Sequence, residues 1–211
     1  MRTAFLLFIC VCGLFFSSCR RDTRVVCVGD SITEGAGMND QSRTAYPVVL
    51  GQILGPGYHV INCGRSGATM LKQSDLPYWK CKDFYNVFTS VPDVVVIALG
   101  TNDSKNFNWN AERFEKDFQA MIDTLRTLKP GPRIYVCLPP PVFKMAWSID
   151  DSTIVHGVIP IILKLKKTND FTLIDLNHSM RGRPELFPDG VHPDEAGARV
   201  MAGIIAAELK K

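Results

Sequence analysis

The stretch VVVIALGTND, residues 94–103, decides the fold. Val94 to Leu99 is an unbroken apolar run, and Gly100-Thr101-Asn102-Asp103 ends it abruptly. A strand with one wet face alternates apolar and polar side chains, whereas a strand buried on both faces reads as a continuous run. Four other short runs share the pattern: Val25–Val28, Tyr58–Cys63, Ile134–Leu138 and Phe171–Leu176. Helix-length segments separate them. Ala111, Phe114, Phe118, Met121, Ile122, Leu125 and Leu128 keep three-to-four spacing, and Pro130-Gly131-Pro132 stops that helix. A second strong helix follows Pro193, with Asp194 and Glu195 in its first turn and a stripe of Ala196, Val200, Met201, Ile204, Ile205 and Leu209. Weaker patterns cover 45–54 and 155–167, the latter interrupted by Pro160, which predicts a late start or a kink. Strands alternating with helices predict a doubly wound, mostly parallel five-stranded α/β sheet flanked by helices.

The composition agrees with one such domain. The chain has 211 residues, 46% hydrophobic and 21% charged, which excludes disordered, collagen-like and coiled-coil classes. A formal charge of +3, with scattered Lys and Arg, gives no footprint for nucleic acid. The first residues read separately. Met1-Arg2 is followed by thirteen uncharged, mostly apolar residues from Ala4 to Phe16, then Ser17-Ser18-Cys19 and Arg20-Arg21. This suits a signal peptide and falls short of the roughly 20 residues of a spanning helix. Phe-Ser-Ser-Cys resembles the bacterial lipoprotein processing box, with Phe16 where Leu is usual. The expectation is a signal peptide over 1–18, lipidation of Cys19, a short tether over 19–23 and a catalytic domain over 24–211. The mature protein would then be extracytoplasmic and meet a membrane only through that anchor; plain secretion from another cleavage site is the alternative. Cys27, Cys63 and Cys137 sit inside apolar runs and read as buried thiols, Cys81 lies in a loop-like stretch, and no Cys-x-x-Cys pair suggests structural zinc.

In a doubly wound sheet, ligands bind beyond the carboxyl ends of the strands. Four polar, glycine-rich patches fall there: GDSITEG at 29–35, GRSGAT at 64–69, GTND at 100–103 and DGVHP at 189–193. Together they resemble the SGNH (GDSL-type) hydrolase family, whose name lists Ser, Gly, Asn and His from four sequence blocks. These map, in order, to Ser31, Gly67, Asn102 and His192, and the resemblance runs from about Val25 to the end. The first block carries Ile32 where the older family name has Leu. The resemblance implies a flavodoxin-like three-layer sandwich and a serine esterase working through an acyl-enzyme.

Chemistry assigns the parts. A Ser hydroxyl is a poor nucleophile until a base takes its proton, and a neutral imidazole, here His192, suits that task. Asp189, three residues earlier across a glycine, is placed to accept the other ring N–H. The oxyanion formed on acyl attack needs fixed donors, and the N–H groups of Ser31 and Gly67 with the Asn102 amide supply three. Taken singly, each residue reads as a cap, a turn glycine or a loop polar group; their joint occurrence carries the catalytic reading. Asp175 and His178 repeat the Asp-x-x-His spacing at the end of the fifth run. They lack the intervening glycine and the proline that fixes a helix start after the base, so they are assigned structural roles. Asp30, Arg65 and Asp103 receive none.

No phosphate-cradling Lys-Ser/Thr, dinucleotide glycine spacing or His-Glu-x-x-His occurs, so neither cofactor nor metal is implied. The three Trp, at 79, 109 and 147, all follow strands and so fall on the crevice side, where their faces can stack on sugar rings or simply pack loops. GRSGAT and PYWK are also similar to stretches of family members described as carbohydrate or sialate O-acetylesterases. The expected activity is hydrolysis of small acyl esters, chiefly acetyl, on a small molecule or glycan. A lysophospholipase- or thioesterase-type acylhydrolase and a non-catalytic glycan-binding lipoprotein are the competing readings.

Overall fold

The computed structural model describes residues 21–211. The signal-peptide and Cys19 readings lie outside them. Five strands, β1 (Thr23–Gly29), β2 (Tyr58–Gly64), β3 (Val94–Ala98), β4 (Arg133–Leu138) and β5 (Thr172–Asp175), form one sheet in the order β2-β1-β3-β4-β5. Every pairing is parallel. The helices are α1 (Ser31–Glu34), α2 (Gln41–Thr44), α3 (Tyr46–Leu54), α4 (Lys82–Thr89), α5 (Ala111–Arg126), α6 (Asp151–Thr153), α7 (Ile159–Lys166), α8 (Leu176–Met180) and α9 (Glu195–Leu209).

Both faces of the sheet are covered, which is why the strand runs are continuous. Val26 and Val28 of β1, with Val95 and Ile97 of β3, meet Phe114, Phe118, Met121, Ile122 and Leu125 of α5 and Ile162 and Leu165 of α7. The alternate residues Val25, Cys27, Val94 and Val96 meet Tyr46, Val49 and Leu50 of α3 and Met201, Ala202 and Ile205 of α9. Three layers result, as expected. Leu128 lies beyond the end of α5 and still packs against the core.

Two helices differ from expectation. In α9 the buried face is Gly197, Ala198, Met201, Ala202, Ile205, Ala206 and Leu209, with Ala196 exposed and Val200 and Ile204 half-buried. Small residues let the helix lie close: a Cβ on Gly197 would meet Pro193 Cβ at 2.7 Å and the Leu186 carbonyl at 3.0 Å. A stripe chosen by hydrophobicity alone misses such positions. Pro160 gives the late start expected for α7, which begins at Ile159, but helical backbone also precedes it. The chain is helical from Asp151 through a π turn at Ile154–Val158 into α7, where Pro160 occupies the first turn. The wide turn is a π bulge placed where the proline ring would crowd a tighter one and where its missing N–H breaks the ladder.

Chain order reverses direction between β1 and β3, and the crevice opens beyond their carboxyl ends. The register aligns Gly29 with Gly64 on one side and with Ala98 on the other. Ser31, Gly67 and Asn102 therefore leave the sheet side by side.

Candidate active site

Ser31 is the first residue of α1, directly after β1. Asp30 caps that helix, its Oδ1 accepting the Ile32 N–H at 3.0 Å. Gly29 makes the sharp exit possible, because a Cβ there would overlap the Thr33 side chain at 1.9 Å and approach the Ala98 carbonyl at 2.9 Å. On the far side of the crevice, Phe187 to Pro193 forms the loop that opens α9. Gly190 takes φ +87 and presses on Lys144, whose Cβ would lie 2.5 Å from an added methyl. The Phe143 N–H donates to the Gly190 carbonyl at 2.8 Å, pinning the loop to the segment after β4.

These supports bring three side chains into line. His192 Nε2 lies 2.8 Å from Ser31 Oγ, and its Nδ1 lies 2.8 Å from Asp189 Oδ2. Asp189 Oδ1 accepts the backbone N–H groups of Val191 and His192 at 2.8 and 2.7 Å. Burial pushes this carboxyl up, but the two N–H groups and the imidazole outweigh it and hold it below its ordinary range. The carboxylate is thus kept charged and oriented by its own loop. A hydroxyl, an imidazole and a carboxylate so arranged can pass the hydroxyl proton to the ring and stabilise the resulting cation.

A cavity of about 260 Å³ opens onto Ser31 and His192, lined also by Ala36, Ser66, Gly67, Asn102, Lys105, Trp147 and Ile149. Gly67 stands at φ +80 in the turn after β2. No acceptor takes its N–H or that of Ser31 among the described residues. Asn102, 3% exposed, spends one amide hydrogen on the Ala68 carbonyl at 3.2 Å, which leaves the other for the cavity. A larger cavity of about 500 Å³ lies between α5 and α7, lined mainly by Glu112, Glu115, Lys116 and Lys164 and away from Ser31 and His192.

The three tryptophans part company. Trp147 is exposed, its ring centroid 5.1 Å from that of His192 in an edge-on arrangement. It sits at φ 51 with Ser148 at φ 62, in a tight turn closed by the Ile149 N–H on the Ala146 carbonyl at 2.9 Å. Two successive left-handed residues usually require Asn-Gly, so the backbone here is strained to present an indole at the cavity. Trp79 and Trp109 are instead packed on the body. Trp79 donates to the Met70 carbonyl at 2.7 Å, with Lys72 over its ring, and Trp109 stacks beside Phe114 against Gly157. Their expected place at the crevice is corrected accordingly. Both follow strands, but their segments turn back onto the α4–α5 side, and no spacing rule separates that from a crevice loop.

The second Asp-His pair is remote in function. Asp175 Oδ1 caps α8 through the His178 N–H at 2.8 Å, and both residues are exposed. The residues without an assigned role are now placed. Asp30 is buried, its Oδ2 without a hydrogen-bond partner among the described residues, and burial drives its carboxyl up to about 6 against the pull of the Ile32 N–H and His192. Burial likewise drives Asp103 up to about 7, although Met70 and Leu71 both donate to it at 2.9 and 2.8 Å. Arg65 continues the β1–β2 pairing through its N–H on the Gly29 carbonyl. Cys27, Cys63, Cys81 and Cys137 are buried, with no disulfide among the described residues. Among the cavity residues, Ala36, Ser66, Lys105 and Ile149 were not expected. Lys105 and Ser66 have a weak signal in retrospect, since each lies within three residues of a motif residue.

Comparison with known proteins places the chain in a family. The GDSL-like Lipase/Acylhydrolase family matches residues 27–200. An acetylxylan esterase of Xylanibacter ruminicola is 40% identical over 206 residues, covering 89% of this chain and 43% of its own length. This chain spans less than half the length of the curated relatives it matches. Among solved structures, Est24, a carbohydrate acetylesterase from Sinorhizobium meliloti, has a TM-score of 0.72 at 18% identity, covering 90% of this chain and 99% of that one. An acetyl xylan esterase, AlAXEase, has a TM-score of 0.68 at 25% identity, with 88% and 99% covered. The distant structural likeness establishes the fold, and the match over residues 27–200 establishes the descent: the chain belongs to the GDSL-like lipase/acylhydrolase family.

Proposed function

We propose that this chain is a serine esterase that removes acetyl groups from carbohydrate through an acyl-enzyme on Ser31. The observation that carries the reading is the hydrogen-bonded line Ser31–His192–Asp189 opening onto one small cavity that also holds Gly67 and Asn102. Ser31 Oγ attacks the acyl carbonyl while His192 Nε2 takes its proton, and Asp189 steadies the imidazolium. The carbonyl oxygen becomes an oxyanion held by the Ser31 and Gly67 N–H groups and the Asn102 amide. Collapse breaks the ester C–O bond, and His192 returns the proton to the departing sugar hydroxyl. Water, deprotonated by His192, then attacks the acyl carbon; the Ser31 Oγ–C bond breaks as His192 returns that proton to Oγ, releasing acetate and restoring the Ser31 hydroxyl.

Support for an acetylated carbohydrate comes from the acetylxylan esterase at 40% identity and from Trp147, whose exposed face suits a sugar ring beside the nucleophile. Acetate release from acetylated xylan and from 4-nitrophenyl acetate, by residues 21–211, is the test. We expect both to be cleaved, Ser31→Ala to cleave neither, and Trp147→Ala to lose roughly tenfold on xylan with much less change on the aryl ester, the scale of one lost stacking contact. Cleavage that survives Ser31→Ala would refute the mechanism; binding of xylan without cleavage of any ester would favour the glycan-binding reading. The anchor is proposed on sequence alone: a mature N-terminus other than lipid-modified Cys19, seen by mass spectrometry, would remove it.

A further inference from the structure

The donors proposed for the oxyanion come from separate loops that leave the sheet side by side. They are tied near their bases by the Asn102 amide on the Ala68 carbonyl and by Asp103, which accepts the Met70 and Leu71 N–H groups. A further tie lies farther out. Gly67 belongs to the loop after β2, and Asn102 opens the turn after β3. Eight residues beyond Gly67, Asp75 crosses to the second turn. Its Oδ2 pairs with Lys105 Nζ at 2.9 Å, its Oδ1 accepts from Asn108 Nδ2 at 2.7 Å, and its own N–H donates to Asn108 Oδ1 at 3.0 Å. Asn108 Nδ2 also reaches the Asn102 carbonyl at 3.2 Å. The Lys105 side chain is 10% exposed and Asp75 is the carboxylate it pairs with, itself on the outer, solvent-facing side of the loop. Burial raises the Asp75 carboxyl, but Lys105 and Asn108 together lower it below its ordinary range.

The loop carrying Asp75 is stiff enough to transmit position. Thr69 and Pro77 bridge at its neck, the Thr69 N–H donates to the Leu76 carbonyl and the Tyr78 N–H to the Thr69 carbonyl, both at 3.0 Å. Thr69 Oγ1 also bonds Ser74 Oγ at 2.5 Å. Displacing Asp75 therefore displaces the segment that continues from Gly67.

We infer that Asp75, Lys105 and Asn108 form a latch that sets the spacing of the Gly67 and Asn102 donors, and so are positioning residues for the oxyanion. This rests on the ester-hydrolysis reading, since without an oxyanion the latch has no object. None of the three needs to touch the acyl group. A donor moved by about 1 Å loses much of its value to the transition state while the ground-state substrate is still bound, so the loss falls on kcat.

The test combines kinetics with hydrogen exchange. Asp75→Ala should lower kcat for 4-nitrophenyl acetate roughly tenfold to thirtyfold with KM changed less than about twofold. In an Asn102→Ala background the same substitution should cost clearly less than it does alone, because one of the two donors whose spacing it sets is already gone. Lys105→Arg should recover most of what Lys105→Ala loses. Asp75→Asn, which keeps the shape and is the safer variant to fold, should lose activity in the same direction by a smaller factor. Peptide-level exchange in Asp75→Asn should rise over 64–71 and 100–109 while β1 and β3 stay protected. The full loss repeated in the Asn102→Ala background, or a change in KM alone, would overturn the latch. So would unchanged exchange in those two segments, whether or not the protein hydrolyses any ester. Absence of activity in the unaltered chain would instead overturn the esterase reading.

Discussion

On the proposed mechanism Ser31, His192 and Asn102 carry different shares of the barrier, and substitution separates them. Nucleophile and base act as one unit, so Ser31→Ala or His192→Ala should each lower kcat on the order of 10⁶-fold. Asn102→Ala removes one oxyanion donor and should cost roughly 10²- to 10³-fold. His178→Ala should be nearly silent, since its backbone rather than its ring meets Asp175. A dead His178→Ala with an active His192→Ala would exchange the two Asp-His pairs. Asp30 gives a different signal. Its folded carboxyl holds a proton to about pH 6, whereas an unfolded one releases it near pH 4. Between these values the folded state binds more protons, so stability is full below about pH 4 and falls as pH rises through 6. Asp103 acts with the same sign, up to about pH 7. Urea midpoints from about pH 4 to pH 8 should therefore decline in the parent, and less steeply in Asp30→Asn, which cannot ionise at that position. Equal slopes would show that Asp30 keeps the same ionisation in both states.

At the scale of elements, the proposed base is delivered by a loop whose shape depends on one glycine. Gly190→Ala would place a methyl 2.5 Å from Lys144 Cβ in a backbone at φ +87. The strain of that conformation alone is about 1–3 kcal/mol, and relief requires the loop to shift His192. The expected outcome is a lowered denaturation midpoint together with at least a roughly tenfold fall in kcat; an unchanged kcat would show the loop can yield without moving the base. Strands and motif blocks were legible because each is encoded locally: double burial writes a continuous apolar run, and Gly29, Gly67 and Gly190 mark backbone that other residues cannot follow. What stayed hidden depends on distant partners. Nothing near Trp79 tells that its indole N–H will find the Met70 carbonyl, nor does the sequence around Asp75 announce Lys105 thirty residues on. The face of α9 was legible at Met201, Ile205 and Leu209 but not at Gly197 and Ala198, buried positions chosen for smallness, which hydrophobicity does not measure.

Over the whole molecule, the sheet order puts the chemistry where chain direction reverses, and the loops decide what enters. The cavity at Ser31 is about 260 Å³ and is walled by Trp147, Ile149 and Lys105 rather than by a long aliphatic groove. A site shaped to acetyl rejects longer acyl chains by clash, whereas a groove would gain up to about 0.8 kcal/mol, roughly fourfold, for each methylene it buries. The two kinds of acylhydrolase therefore predict opposite trends. The decisive measurement is kcat/KM for the acetate, butyrate and octanoate esters of one leaving group. This account predicts that acetate is best and octanoate at least about tenfold worse; efficiency rising out to octanoate would contradict it and make the protein a long-chain acylhydrolase.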